Sequence, residues 1–218
     1  MKYTRLIYIS LISALFACNN NDQADKKEQV TDSLAKDSSI PAPPVATAEL
    51  PEDSVVLEIT KEILTSIDAN DITHFAEFIH PTAGVRFSPY GFIDTANDKK
   101  FTKEQFIAQL KSKKKMKWGT YDGNGDDIYL DIQAYIKKFV YDVKFIHPEN
   151  LSVNQSLSKG NSLNNQSTVY PNAPYTESFF SGFEKKYDGM DWRSLRLIYK
   201  KEDEKYYLIG VVHDQWTI

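Results

Sequence analysis

Residues 191–218 read DWRSLRLIYKKEDEKYYLIGVVHDQWTI, two apolar runs separated by a group of charged residues. Each run is rich in aliphatic and aromatic side chains, which are typical of strands. The charged group at 201–205 is typical of a turn. The pattern therefore predicts strands over 193–200 and 206–214 that pair as a C-terminal hairpin.

The second strand of this hairpin has apolar side chains on both faces. Alternation along a strand places Leu208 and Val212 on one face and Ile209 and Val211 on the other. Strands that are covered on both faces lie inside a sheet and not at its edge. We therefore expect this strand near the centre of the sheet.

The segment before the last strands is predicted to be mainly helical. Apolar residues recur there at helical spacing in four stretches. Pro81 ends the second of these, and Thr102 with Gln105 forms a capping box at the start of the third. The first helix is predicted over 54–68, and apolar residues at 72–79, 106–110 and 132–140 mark the other three.

Further strands are predicted on both sides of the last helix. GVRFSPYGFID (84–94) is β-branched and aromatic, but Pro89 inside it indicates an edge strand or a bulged one. YDVKFIH (141–147) and residues 168–180 are also predicted to be strands, with a Ser/Asn/Gly-rich loop at 151–167 between them.

Helices followed by strands indicate an α+β class, with N-terminal helices packed on a curved, mainly antiparallel sheet. The stretch 54–218 has the length of a single domain. Its predicted core contains Ile59, Ile63, Phe75, Ile79, Phe106, Leu110, Phe139, Leu195, Leu197, Ile209 and Val211.

This order of elements resembles the NTF2-like (SnoaL-like) cone, in which helices wrap one face of a strongly curved sheet. The resemblance covers most of 54–218 and implies a cavity between helices and sheet. The phrases GMDWRSLRL (189–197) and HDQWTI (213–218) are also similar to those of uncharacterised bacterial lipoproteins.

The N-terminus has the layout of a secretory signal. Lys2 and Arg5 precede an apolar run over 6–17, which is too short to span a bilayer as a mature helix. The run ends in Leu15-Phe16-Ala17-Cys18, which resembles the lipobox of bacterial lipoproteins. The resemblance implies that residues 1–17 are a signal peptide and that Cys18 is lipidated. It also implies a bacterial cell envelope protein, anchored by that lipid on the periplasmic side or the cell surface.

Residues 18–53 are predicted to be a disordered tether between the lipid and the domain. The stretch contains four prolines and no aromatic residue, so it buries too little surface to offset its ordering entropy. Cys18 is the only cysteine in the chain, which excludes an intramolecular disulfide and a zinc site made of several cysteines.

Charge and motifs exclude several functional classes. The formal net charge is −4, and it becomes −6 when Lys2 and Arg5 leave with the signal peptide. Nucleic acid is therefore not an expected partner. The sequence has no G-x-S-x-G elbow, Walker A loop or G-x-G-x-x-G motif, so no catalytic signature and no cofactor is predicted.

Asp122, Asn124 and Asp126 alternate like the first ligands of a calcium-binding loop. The loop of an EF-hand needs glycine at its sixth position and glutamate at its twelfth, but this chain has Asp127 and Gln133 there. Asp-Gly and Asn-Gly pairs favour positive φ, so the run is predicted to be a turn. No metal site is predicted.

The candidate ligand-binding residues surround the C-terminal hairpin. Arg196 alternates with Trp192 and Ile198 on one strand face and needs a carboxylate partner, such as Glu177, or an anionic ligand. His213 and Asp214 follow the apolar part of the last strand. We expect Arg196, His213 and Trp216 near the mouth of any cavity, with Tyr90 opposite them.

Three functions remain open at this stage. The first is a non-catalytic envelope module that binds a small ligand, a glycan or a partner protein. The second is a SnoaL-like isomerase or hydrolase with a histidine or carboxylate base in the cavity. The third is a scaffold subunit that forms a homodimer or joins an envelope complex through a sheet face.

Overall fold

A six-stranded sheet forms the centre of the fold. The structure, a computed structural model, describes residues 51–158 and 163–216. Helices pack on a curved, mainly antiparallel sheet that does not close into a barrel. The predicted α+β class is confirmed.

Five α-helices and two short 3₁₀-helices are present in the described residues. The 3₁₀-helices are Ala76–Phe78 and Lys185–Tyr187. The α-helices are α1 (Glu52–Asp68), α2 (Ile72–Phe75), α3 (Lys103–Ser112), α4 (Ile132–Phe139) and α5 (Gln166–Val169).

The eight described strands form two sheets. In the large sheet the order is β2-β1-β8-β7-β6-β5, and only the β1–β8 pair is parallel. β3 and β4 form a separate hairpin. The strands are β1 (Val85–Ser88), β2 (Lys99–Phe101), β3 (Met116–Thr120), β4 (Asp127–Leu130), β5 (Asn150–Val153), β6 (Tyr175–Phe180), β7 (Arg193–Glu202) and β8 (Lys205–Gln215).

The predicted signal peptide, Cys18 and the tether as far as residue 50 lie outside the described residues. Among the helices that the structure does describe, none combines the length and the apolar character needed to cross a membrane.

Local signals in the sequence set the boundaries of the helices. The predicted capping box is present at α3, because Thr102 Oγ1 accepts from the Gln105 amide and the Gln105 side chain accepts from the Thr102 amide. Asp131 caps α4 by accepting from the Ala134 amide at 2.9 Å. Such caps satisfy amides that have no partner within the helix.

The main core lies between the helices and one face of the sheet. Most predicted core residues are buried there, but Ile59 and Leu110 are only partly buried and pack against the core from its margin. A smaller apolar cluster covers the opposite face. Its buried members are Ile93, Ile198, Ile209 and Val212.

A β-bulge in β8 changes which of its side chains share a face. The register shifts between Ile198 and Tyr199, which pair with Gly210 and Leu208, so Ile209 is an extra residue. Leu208 and Val211 therefore face the helices, and Ile209 and Val212 face the other side. The alternation predicted from sequence was wrong here, because a bulge interrupts the two-residue period.

Two predicted strands differ in the structure. β1 ends at Ser88, before Pro89, and it pairs on both sides, so it is not an edge strand. Residues 141–147 form local turns, such as Phe145 N–H to Val143 O at 2.9 Å, and not a strand. Phe145 is fully buried, so this apolar segment covers the core without joining a sheet.

The segment 151–180 also differs in detail. β5 occupies the start of the predicted loop, α5 occupies its end, and β6 begins only at Tyr175. The C-terminal hairpin is confirmed, with Asp203 and Glu204 forming its turn at φ of 48° and 64°. β8 lies between β1 and β7, inside the sheet as expected.

Candidate functional site

A cleft of about 760 Å³ lies between the segment 89–98 and the β3–β4 hairpin. The segment 89–98 leaves β1 and leads into β2, and it contributes Tyr90, Phe92 and Asp98 to the cleft. The hairpin contributes Lys117 and Asp122 from the other side. The volume is in the range of small-molecule sites.

The β3–β4 hairpin is held against the domain by Trp118. Its indole is fully buried and stacks on Tyr135 of α4, with ring centroids 3.7 Å apart. The indole Nε1–H also donates to the Leu130 carbonyl at 2.8 Å. One wall of the cleft is therefore fixed by a large aromatic contact.

The run from Asp122 to Asp127 forms the turn of this hairpin, as predicted. Gly123 and Gly125 have φ of 88° and 73°, which glycine adopts at little cost. Asn124 Oδ1 accepts from the Asp126 amide at 3.0 Å. Within residues 51–158 and 163–216, no three His, Cys, Asp or Glu side chains are grouped so that they could hold a metal ion.

Tyr90 joins the two walls of the cleft. Its hydroxyl oxygen accepts from the Asp122 amide at 3.2 Å, and its ring packs edge-on against Phe139 at 5.8 Å. Burial raises the pKa of the Tyr90 hydroxyl. Of the four predicted ligand-binding residues, Tyr90 is the one that lines the cleft.

Asp98 is the buried charged group of the cleft. It is only 9% exposed, and its Oδ2 accepts from Ser88 Oγ and from the Asp94 amide at 3.0 Å. Its Oδ1 accepts no hydrogen bond from the residues that the structure describes. Burial raises the pKa of the Asp98 carboxyl to about 6, despite the hydrogen bond from Ser88.

The hydroxyl of Tyr135 lies close enough to Asp98 to feel its charge. Burial, and then the charge of Asp98, raise the pKa of Tyr135 well above its ordinary value. This hydroxyl is buried and has no hydrogen-bond partner within the described part of the chain. Buried polar groups are normally paired, so this hydroxyl is an exception within the described chain.

Arg196 is fully buried on the sheet face opposite the main core. Its Nη2 lies 3.4 Å from Asp214 Oδ2 and 3.4 Å from the Gly91 carbonyl, and Nη1 donates to Gln166 Oε1 at 3.2 Å. Its Nε has no partner among the described residues. The guanidinium therefore lies between β8, the segment 89–98 and α5.

Glu177 is not the partner of Arg196, so that prediction was wrong. The two residues are directly opposite in the β6–β7 register. Glu177 instead accepts from Ser194 Oγ and from the amides of Leu157 and Ser158 at 2.8 and 3.1 Å. These three donors already satisfy the carboxylate, and the guanidinium reaches to β8.

His213 lies on the helix-facing side of the same sheet and is fully buried. Its Nδ1 is 3.3 Å from the Pro89 carbonyl, and its Nε2 is 3.2 Å from Asp142 Oδ1. Burial raises the pKa of Asp142, but the hydrogen bonds and charges of His213 and Arg193 outweigh it, so the net shift is downward. Both ring nitrogens of His213 are thus used inside the protein.

Trp216 lies in a different place. It is 38% exposed and lines a pocket of about 340 Å³ together with Trp192, Phe179 and Met190. The structure therefore does not bring Arg196, His213, Trp216 and Tyr90 to one mouth. The segment Pro89-Tyr90-Gly91 instead lies between three of these places. The Pro89 carbonyl contacts His213, the Tyr90 side chain lines the cleft, and the Gly91 carbonyl contacts Arg196.

Sequence reasoning missed Asp98 and Ser88. Asp98 belongs to the polar run DTANDKK (94–100), in which Asp94 and Asp98 look equivalent. Only the folding of this run over β1 makes one aspartate buried and leaves the other half-buried.

Comparisons of the chain with protein-family models, with curated proteins and with solved structures find no match.

Proposed function

We propose that this chain is a lipid-anchored protein of the bacterial cell envelope whose α+β domain binds a small ligand in the cleft beside Tyr90, without catalysis. The size of the cleft supports this function, since about 760 Å³ accommodates a small organic molecule. The lipobox-like sequence before Cys18 supports the anchor, through which the membrane is a partner.

One observation carries the binding function. Asp98 is nine-tenths buried, lines the cleft and keeps one carboxylate oxygen without a partner in the described structure. This oxygen is not one of the solvent-excluded unpaired atoms of the described chain, so it is open to the cleft that Asp98 lines. A ligand donor at this oxygen would form a charge-assisted hydrogen bond.

The arrangement of helices on one face of an open, curved sheet is also compatible with the NTF2-like interpretation, which we retain as part of the proposal. In this chain, however, the cleft lies between the segment 89–98 and the β3–β4 hairpin. Ligand access would therefore depend on this hairpin.

Native mass spectrometry of the full chain purified from its membrane fraction tests the proposal. We expect a retained small molecule in the wild type and its loss in Thr120→Trp, which places an indole in the cleft. Thr73→Trp, at an exposed site on α2, is the matched control and should keep the ligand. Equal ligand content in all three proteins would contradict binding in this cleft.

A second candidate function is favoured by the same carboxylate. A carboxyl with a pKa of about 6 inside a cleft is suited to act as a general base near neutral pH. If the domain is an enzyme, incubation of the retained molecule with wild-type protein yields a product of altered mass, and Asp98→Asn forms no product even at saturating concentrations of the molecule. An unchanged mass with the wild type would leave non-catalytic binding as the function.

A further inference from the structure

The charged residues that line the cleft are mainly acidic. Its lining includes three aspartates, Asp94, Asp98 and Asp122, and one basic residue, Lys117. The Lys117 ammonium is already paired with Asp127 Oδ1 at 2.6 Å. An anionic ligand would meet repulsion here, because no other lining residue carries a positive charge to oppose the three carboxylates.

The three aspartates are not equivalent as ligand groups. Asp94 is bonded to the amides of Ala96 and Asn97 and to the Asn97 side chain, and the Asn97 hydrogen bond lowers its pKa. Asp122 is exposed and accepts from the amide of Gly123. Asp98 alone combines burial with an oxygen that has no partner in the described structure.

No side-chain cation within the described chain forms an ion pair with Asp98, although the charge of Arg86 partly opposes the upward shift of its pKa. Arg86 is the nearest cation on β1, but its Nη1 donates to the backbone carbonyls of Thr95 and Asp98, at 3.1 and 3.3 Å. Burial makes the charge of Asp98 unfavourable, and a cation at its unpartnered oxygen would offset this. The unpartnered oxygen is therefore a defined atom at which a cationic group could bind.

Aromatic rings complete the pattern. Tyr90, Tyr121 and the half-exposed Phe92 line the cleft, and the faces of such rings carry negative potential. The chain itself uses one of these rings in this way, since Lys138 Nζ lies 4.8 Å from the centroid of Tyr121. Carboxylates together with aromatic faces recognise organic ammonium groups, whereas a hydrated inorganic ion gains little from the rings.

We propose that the cleft is specific for an organic cation, with a primary ammonium or guanidinium group bound to Asp98 Oδ1 and the attached carbon chain packed against Tyr90 and Phe92. This rests on the proposed binding function and adds the chemical class of the ligand. The second and third carboxylates, Asp94 and Asp122, favour a ligand that carries a second positive group at its other end.

Titration of the full chain followed by NMR tests the ligand class. The probes are 1,4-diaminobutane and 1,4-butanediol, which have the same length but differ in charge, and magnesium chloride, which supplies the charge without the carbon chain. We expect saturable shifts of the Ser88, Asp94 and Asp98 amides with the diamine only. Asp98→Asn should weaken diamine binding roughly tenfold or more.

Asp203→Asn, in the exposed turn of the C-terminal hairpin, removes the same charge outside the cleft and is the matched control. Its diamine affinity should equal that of the wild type, and thermal melts should show that both variants are folded. Binding of the diol as tightly as the diamine, or equal loss in both variants, would overturn the cationic ligand and leave small-molecule binding intact. Failure of every probe to shift the cleft amides, together with no retained ligand in native mass spectrometry, would overturn both.

Discussion

Gly91 lies so close to Asp214 that a Cβ at Gly91 would be 2.4 Å from Asp214 Oδ2. The Gly91 carbonyl is also 3.4 Å from Arg196 Nη2. The segment 89–98, which forms one wall of the cleft, therefore packs directly against the buried Arg196–Asp214 pair.

The first prediction follows from this contact. Gly91→Ala should destabilise the domain by about 1–3 kcal/mol, because the methyl group has no room and the segment must move away from the carboxylate. Chemical denaturation measures the change. In the Asp214→Ala background the same substitution should be less destabilising, and simple additivity of the two changes would contradict direct contact.

Arg196→Leu should lower the free energy of unfolding by about 3–5 kcal/mol, because it breaks the buried ion pair between Arg196 and Asp214. Equilibrium denaturation of the variant checks this value. The substitution should not abolish ligand retention in molecules that remain folded, since Arg196 does not line the cleft. Loss of ligand at unchanged stability would show instead that Arg196 belongs to the binding site.

The raised pKa of Asp98 makes stability depend on pH in a defined direction. The folded state keeps the Asp98 proton up to about pH 6, whereas the unfolded carboxyl loses it near its ordinary value of 3.8. Ionised Asp98 therefore destabilises the fold as pH rises through this window. At pH 7 or above, the penalty is on the order of 2–3 kcal/mol.

Asp98→Asn should accordingly gain stability relative to the wild type between about pH 4 and pH 7. Asparagine keeps an acceptor for Ser88 and removes the charge. Differential scanning calorimetry across this range gives the difference in stability between the two proteins. The contributions of the other titrating groups are common to both proteins and cancel in this difference. A difference that does not change with pH would contradict the raised pKa.

Glu204→Gly should stabilise the C-terminal hairpin. Asp203 and Glu204 both have positive φ, which costs an L-residue roughly 1–2 kcal/mol relative to glycine. The Asp-Gly pair suits this two-residue turn. The melting temperature should rise, and the loss of the exposed Lys201–Glu204 pair should offset little of the gain. A lower melting temperature would show that the side chain of Glu204 matters more than its backbone strain.

Cys18→Ala should move the protein from the membrane fraction to the soluble fraction, because the proposed lipid is attached to this cysteine. Immunoblots of separated fractions measure the distribution. Mass spectrometry of the wild-type N-terminus should find a diacylglyceryl cysteine at residue 18. Membrane association that persists in the variant would contradict the anchor.

Features that depend on neighbouring residues were predictable from the sequence. The capping box of α3 is set by Thr102 and Gln105, and the hairpin turn by the charged group after β7. The α+β class followed from the change of period along the chain. In contrast, the bulge at Ile209 was missed, although a glycine inside a strand, here Gly210, often marks one. The bulge exchanged the faces of Val211 and Val212 relative to Leu208 and Ile209.

The candidate site was less predictable because it depends on distant contacts. Tyr90 was identified, but Arg196 was paired with Glu177, when the available carboxylate was Asp214 on the other neighbouring strand. The identity of the partner depends on which acid is already satisfied, and Ser194 with two backbone amides satisfies Glu177. Asp98 could not be distinguished from Asp94 before the segment was folded.

The position of β8 also decides when this protein can fold. β8 follows every other strand that the structure describes, yet it pairs with both β1 and β7 inside the sheet. Ribosomes add about 5–20 residues per second, so β1 cannot pair with β8 until β8 has been synthesised. Pairing over such a sequence separation also slows the search for the native state. The sheet therefore remains unfinished until β8 has been synthesised, and β1 and β7 keep an unpaired edge until then.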